Sequence, residues 1–213
     1  MTQLLIFSAI VVTYLIGSIP FGYIYGKLFK KIDIREHGSG NIGATNILRT
    51  FGTKAGLIVL SLDILKGVIP VVLARMLLPE ICELYQWLPV AIAISAILGH
   101  TFTVFLSFKG GKGVATAAGV MLALVPTHFL IAILIFVAIV AITRYVSLGS
   151  MMASLFLVTR AILYFALSFE NITEETYVYA FMLLLGIFVV STHKSNIQRL
   201  IKGNENKLSF QKK

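Results

Sequence analysis

The chain has 213 residues, of which 58% are hydrophobic and only 13% charged. Soluble domains carry about 25% charge, so this composition and a mean hydropathy of +0.92 exclude an ordinary soluble domain and point to membrane helices, which read as runs of about 18 or more apolar residues. One cysteine, Cys82, excludes an internal disulfide. The formal charge of +9 is informative through its distribution rather than its size, and no nucleic-acid partner is expected.

The first apolar run covers residues 4–25. No Lys or Arg precedes it and it is too long for the core of a secretory signal, so it reads as a retained span rather than a targeting peptide. Lys27, Lys30 and Lys31 follow it. A second span is predicted over residues 55–78 and a third over residues 87–108, with Trp87 suited to a membrane interface. A long apolar block then fills residues 113–142, and two further spans are predicted over residues 148–169 and 177–192. The architecture expected is all-α and polytopic: one transmembrane domain over residues 1–201 and a short, polar, mobile tail over residues 202–213.

The apolar block decides the topology. Broken at Val125-Pro126-Thr127, it supplies two spans instead of one and gives seven in all. With the N-terminus outside and the C-terminus in the cytoplasm, every Lys and Arg except Lys66, Arg75 and Arg160 then falls on the inner side, as the positive-inside rule requires. Residues 113–126 rise only ~20 Å at 1.5 Å per residue, against a hydrocarbon core of ~30 Å. The fourth span is therefore short, or its entry loop dips into the membrane, where polar backbone can line a site. Asn171-Ile172-Thr173 matches a glycosylation sequon but reads as chance.

Four segments carry the chemistry. The first, His37-Gly-Ser-Gly-Asn-Ile-Gly-Ala-Thr-Asn46 with Arg49 just beyond, packs glycines and short donors ahead of a helical start. Glycine lets main-chain N–H groups approach an anion, and helix N-termini attract phosphate. Gly38, Gly40 and Gly43 match G-x-G-x-x-G, but a membrane span precedes them instead of the strand that a dinucleotide fold needs. The second segment, Phe108-Lys-Gly-Gly-Lys-Gly-Val-Ala-Thr116, sets Lys109 and Lys112 around glycines and suits an oxyanion. It is not a Walker A loop, because Leu106 and Gly113 stand where that motif needs Gly and Ser or Thr. The third, Thr192-His-Lys-Ser-Asn-Ile-Gln-Arg-Leu200, puts His193 and Asn196 on one face if helical. The fourth, Arg144-Tyr-Val-Ser-Leu-Gly-Ser150, reads alone as a turn. A flexible loop or a basic membrane anchor is the plainer reading of each. Within the spans, Asp63 and Lys66 are three apart and predicted to pair, while Lys66 could also help to hold an anion. His100 reads as a helix-to-helix hydrogen-bonding residue, and Arg160 has no evident partner.

Together the segments GSGNIGATNILRTFG (residues 38–52), GHTFTVFLSFKGGKGVAT (99–116) and THKSNIQRL (192–200) resemble the bacterial acyl-phosphate-dependent glycerol-3-phosphate acyltransferase family. LDILKG (62–67) and RYVSLGS (144–150) are also similar to it. Thr103 departs from the family, which usually has Pro there, and is expected to affect helix shape more than chemistry. The resemblance implies acyl transfer from acyl phosphate to the 1-hydroxyl of sn-glycerol 3-phosphate, giving lysophosphatidic acid and phosphate in the first acylation of phospholipid synthesis. It implies an active site at the cytoplasmic side of the bacterial plasma membrane, lipid around the chain, and coupling to an acyl-phosphate-forming enzyme. By position, Ser39, Arg49, Lys109 and Asn196 are expected to hold the phosphate of glycerol 3-phosphate, and Ser147 and His193 to contact its glycerol part, with His193 a candidate proton acceptor. Thr45, Asn46, Gly110, Gly111, Lys112 and Gly113 are expected to hold the acyl phosphate.

Acyl phosphate is already activated, so alignment and charge stabilisation suffice and no covalent intermediate is needed. No cofactor is expected, and no Asp/His/Cys cluster has metal-ligand spacing. A small organophosphate or anion transporter is the rival reading. It calls for polar residues along a path through both leaflets and often for repeated halves, whereas the polar residues here crowd one face and no repeat is visible.

Overall fold

The computed structural model describes residues 1–168 and 170–208, and among them every regular element is helical. The chain forms two compact units, residues 1–123 and residues 124–208.

The first unit begins with a broken helix, α1 (Thr2–Ser18) and α2 (Phe21–Lys30), bent by 40°. Pro20 sits in the break. It has no N–H to donate and disfavours helical geometry in the residue before it. The main-chain acceptors at the break find partners elsewhere: Thr103 Oγ1 donates to the Ser18 carbonyl, and Lys66 Nζ donates to the Ile19 carbonyl at 2.9 Å. Then follow α3 (Ala44–Phe51), α4 (Thr53–Leu77), α5 (Pro79–Leu84), α6 (Leu88–Thr101) and α7, which runs over Val114–Leu124 and ends at the start of the second unit. Small residues bring helices together, as is common in membranes. Gly17 and Gly99 let α1 and α6 touch backbone to backbone, and Ser95 Oγ donates to the Ile10 carbonyl at 2.7 Å. Gly67 and Gly119 do the same for α4 and α7.

The third predicted span is shorter than the sequence suggests. Helix α6 stops at Thr101, and a 3-10 turn over Val104–Leu106 follows. Thr103 therefore lies beyond the helix instead of within it. Its φ of −63° is one that proline adopts, which is how threonine and proline can share the position. The hydroxyl adds what proline lacks, the tie to Ser18.

The second unit contains α8 (Pro126–Thr143), α9 (Val146–Leu167), α10 (Glu174–Thr192) and α11 (Lys194–Ile201). The break at Val125-Pro126 is present, with Pro126 as the first residue of α8, where its missing N–H costs nothing. Arg144 has a φ of 62° and turns the chain from α8 into α9. Gly186 on α10 lies against Ser154 and Val158 on α9. Leu130, Ile131, Leu134, Val137 and Ile142 on α8 are exposed, a lipid-facing surface. Among the described residues, five helices (α4, α6 with its 3-10 extension, α8, α9 and α10) are long and apolar enough to cross a membrane, and the broken α1–α2 pair makes a sixth if it is one span. Helix α7 is apolar but has 11 residues, about 16 Å of rise.

Phe169, the predicted end of the sixth span, lies outside the described residues, as do residues 209–213 with Lys212 and Lys213 of the predicted tail. Residues 202–208 do not behave as the free tail expected of them. They fold back on α9 and α11: Leu208 N donates to the Arg144 carbonyl at 2.7 Å, Asn204 N donates to the Arg199 carbonyl at 2.9 Å, and Lys207 Nζ lies 5.6 Å from the centre of the Tyr145 ring.

Candidate active site

In the first unit, residues 31–43 connect α2 to α3. Ile34, Ile42 and Ile47 are fully or nearly fully buried beside Ala55, Val59 and Leu106, so this polar loop is nailed to an apolar base. Its entry is fixed by Asp33, whose carboxylate accepts from Arg35 Nη2 at 2.7 Å and Nε at 3.0 Å and caps the 3-10 turn over Ile34–Glu36 through Arg35 N. The Arg35 guanidinium holds the Asp33 carboxyl well below the usual carboxylate range. Gly38 and Gly40 have φ of 61° and 71°, values at which a side chain is strained.

Asn46 is 1% exposed and closes the loop. Its Nδ2 faces the carbonyls of Asn41 at 2.8 Å, His37 at 3.0 Å and Ile34 at 3.3 Å, and its Oδ1 accepts from Ser39 N at 2.8 Å. Three carbonyls on one side and an N–H on the other fix the orientation of the amide. The sequence reading makes Asn46 a phosphate contact. The structure instead commits both ends of its amide to the loop, so it acts by shaping the loop around Ser39. Ser39 is exposed, while Thr45 and Arg49 are half-buried on the first two turns of α3.

The second glycine loop is held from below by the end of α6. Gly110 N donates to the Thr101 carbonyl at 2.9 Å and Gly111 N to the His100 carbonyl at 3.1 Å. A side chain at Gly110 would strike the His100 carbonyl, and one at Gly111 would strike the His100 ring. The glycines are thus required by close packing. Lys109 is exposed, Lys112 is half-buried, and Gly113, with φ of 77°, leads directly into α7. Two cations and a helix N-terminus therefore flank the loop, an arrangement suited to an oxyanion.

The pair predicted within the second span is present: Lys66 Nζ lies 2.8 Å from Asp63 Oδ1, both side chains being buried. With Asp63 and the Ile19 carbonyl as its partners, Lys66 is spent inside the fold, and the idea that it helps to hold an anion falls away. His100 Nδ1 lies 3.6 Å from the same Asp63 oxygen.

In the second unit, Ser147, His193 and Asn196 are buried. His193 ends α10 and precedes α11, and Asn196 lies on the first turn of α11. His193 Nδ1 lies 2.7 Å from the Val189 carbonyl. A carbonyl only accepts, so Nδ1 donates to it. Ser147 and Asn196 meet on a residue the sequence reading passed over. Glu205 Oε1 accepts from Ser147 Oγ at 2.9 Å and Asn196 Nδ2 at 2.6 Å, and Oε2 accepts from Arg199 Nε at 2.7 Å. Burial alone would raise the Glu205 pKa, but these three donors outweigh it and the carboxyl is held below its ordinary value. A signal for it existed: Glu205 is the one acidic residue after Glu175, isolated among cations. Ser147 spends its proton on Glu205 and so presents lone pairs to a ligand, which suits a hydroxyl better than a phosphate.

A cavity of about 440 Å³ in the same unit lies at the far ends of α9 and α10 and is lined by Arg160, Tyr164, Tyr179, Thr173 and Glu175 among others. It is a helix length away from Ser147 and contains none of the predicted site residues.

These features define a class: a polytopic helical membrane protein with glycine and lysine loops suited to oxyanions and, in its second unit, a buried histidine. Residues 7–203 match the family model described as glycerol-3-phosphate acyltransferase. The chain is 44% identical over 204 residues to the glycerol-3-phosphate acyltransferase of Fusobacterium nucleatum, covering 96% of this chain and 98% of that one. It is 42% identical over 207 residues to that of Bacillus subtilis, covering 97% and 100%. The chain is also similar to crystal structures of PlsY, an integral membrane glycerol 3-phosphate acyltransferase, in its glycerol 3-phosphate form (TM-score 0.83) and its lysophosphatidic acid form (TM-score 0.79), with 35% identity and 96% of each chain covered in both. The chain belongs to the glycerol-3-phosphate acyltransferase family.

Proposed function

We propose that the protein transfers a fatty acyl group from acyl phosphate to the 1-hydroxyl of sn-glycerol 3-phosphate, giving lysophosphatidic acid and inorganic phosphate. The observation that carries this reading is the second glycine loop: Gly110 and Gly111 are pressed against α6 while Lys109 and Lys112 stand beside them at the start of α7, and family membership supports an acyl transfer to glycerol 3-phosphate. In this reading Gly110, Gly111, Lys112 and Gly113, with Thr45, receive the acyl phosphate, and Asn46 shapes the neighbouring loop. Ser39, Arg49, Lys109 and Asn196 take the phosphate of glycerol 3-phosphate, and Ser147 and His193 its glycerol part.

The reaction needs little covalent help. The 1-hydroxyl oxygen bonds to the acyl carbonyl carbon, the carbon–phosphate oxygen bond breaks, and phosphate leaves with the electron pair. Nε2 of His193 is the acceptor for the hydroxyl proton. Main-chain N–H groups and lysines stabilise the charge that develops. Ser147, as an acceptor, takes the hydrogen bond of the neighbouring 2-hydroxyl and so orients the glycerol part.

We further propose seven crossings, with α7 as the short fourth, the N-terminus outside and the site at the cytoplasmic face of the bacterial plasma membrane, where an acyl-phosphate-forming enzyme supplies the donor. Purified protein given acyl phosphate and labelled glycerol 3-phosphate should release lysophosphatidic acid. Failure to do so, with accumulation of glycerol 3-phosphate in sealed vesicles, would identify a transporter instead. Thr127→Cys and Ile172→Cys, made in a Cys82→Ser background, should react with impermeant thiol reagent from outside; protection of either overturns this topology.

A further inference from the structure

The buried polar groups of the first unit's helices have no place in the chemistry above, yet they converge on its glycine loop. Asp63, Lys66 and His100 are 2%, 4% and 4% exposed. Burying charge in this way is costly unless it is paired, and here the pairing runs in one direction. Lys66 is anchored to the Ile19 carbonyl in the break of the first span and to Asp63 on its own helix. Asp63 Oδ1 then faces Nδ1 of His100 on α6. The opposite edge of the imidazole, Nε2, lies against Gly111, and the main-chain carbonyl of the same histidine accepts from Gly111 N. One residue thus touches the loop twice, through its ring and through its backbone, and the ion pair stands against the other edge of the ring.

We infer that His100 is a positioning residue for the glycine loop over residues 109–113, with the Asp63–Lys66 pair holding its imidazole in register. His100 is buried beneath the loop and acts through Gly110 and Gly111, whose N–H groups and α-carbons set where Lys109 and Lys112 stand. This rests on the proposed role of that loop as the acyl-phosphate cradle. The physical consequence is an unusual asymmetry between two adjacent glycines. Gly111 has no positive φ, and the three atoms nearest to a methyl group there all belong to the His100 ring. A methyl group on Gly110 meets the His100 and Thr101 backbone, which no side-chain truncation removes.

The test uses the full-length protein in detergent or vesicles, with five variants: His100→Ala, Gly111→Ala, Gly110→Ala, and His100→Ala paired with each glycine change. Thermal unfolding first establishes that each variant is folded. His100→Ala should raise the KM for acyl phosphate about tenfold or more while changing kcat and the KM for glycerol 3-phosphate by less than about threefold, and should raise hydrogen exchange of the Gly110 and Gly111 amides without substrate. Gly111→Ala should be harmful alone but add nothing to His100→Ala, because the ring it strikes is gone. Gly110→Ala should be harmful in both backgrounds. Unchanged exchange at the two amides in His100→Ala, or full additivity of Gly111→Ala with His100→Ala, overturns the positioning role. If exchange rises and the glycine asymmetry holds but the KM change falls on glycerol 3-phosphate, the positioning role stands and the assignment of the loop to acyl phosphate is wrong. Where His100→Ala does not fold, His100→Gln, which keeps the length of the side chain and loses Nδ1 facing Asp63, is read by the exchange of the two amides and by KM: unchanged exchange overturns the positioning role.

Discussion

Replacing Asn46 by Asp turns one NH2 group into an oxygen and leaves the shape of the side chain unaltered. Three carbonyls, those of Ile34, His37 and Asn41, lie within 3.3 Å of that group at a residue 1% exposed. The amide has two protons, so two hydrogen bonds worth about 1 kcal/mol each are lost. The new oxygen, facing only acceptors, adds about 1–3 kcal/mol as a buried unsatisfied group. The folded loop should therefore weaken by about 3–5 kcal/mol. A tenfold rate change corresponds to about 1.4 kcal/mol, so kcat/KM for glycerol 3-phosphate should fall at least about 100-fold if the reaction needs the loop closed. Asn46→Ala introduces no repulsion but loses, besides the same bonds, the one that Ser39 N makes to Oδ1. The assay is release of lysophosphatidic acid by purified variants that retain wild-type helical content. Near-normal kcat/KM for Asn46→Asp would refute the view that this amide holds the loop through its carbonyl contacts.

Glu205→Ala strands two buried donors, Ser147 Oγ and Asn196 Nδ2, and should destabilise the second unit by about 3 kcal/mol, read as a lower unfolding midpoint in detergent; an unchanged midpoint argues against the network. Because the Glu205 pKa is lowered in the folded chain, its stabilisation is fully present above the unfolded value of about 4.3 and is lost as pH falls through the lower folded value, so hydrogen exchange of residues 202–208 should rise on acidification in that range. Lys66→Met leaves Asp63 charged and buried and should cost about 3–5 kcal/mol, whereas adding Asp63→Leu should recover most of it; equal instability of the single and double variants would contradict the pairing. Thr103→Pro keeps a suitable φ but removes the donor to Ser18, so a gain of about 0.4–1 kcal/mol from the unfolded chain and a loss of about 1 kcal/mol should nearly cancel in the unfolding midpoint.

The spans were legible because lipid demands long apolar helices, and Pro126 announced the break between α7 and α8. The glycine loops were legible because close backbone approach leaves few residue choices. What a linear reading could not give was direction. Nothing in its spacing tells that Asn46 turns both ends of its amide inward, or that Lys66 answers a carbonyl 47 positions earlier. Glu205 escaped because a polar, basic terminus normally reads as solvated chain, and its three donors come from two other elements. The length of α6 was overestimated for a similar reason: residues 102–108 are apolar enough for a helix, yet Ser107 and Phe108 take positive φ of 53° and 62° to bring the second loop back onto His100.

The break at Pro20 bears on how the chain is made. Two carbonyls next to it take donors from Lys66 and Thr103, residues that a ribosome adds long after the first span has emerged. An unsatisfied carbonyl in hydrocarbon costs several kcal/mol. The newborn segment is therefore better served by water or a neighbouring chaperone than by bare lipid, and its bend becomes permanent only when α4 and the end of α6 arrive. Insertion of the first span and its final shape are separate events, and chains truncated before Lys66 should carry the first without the second.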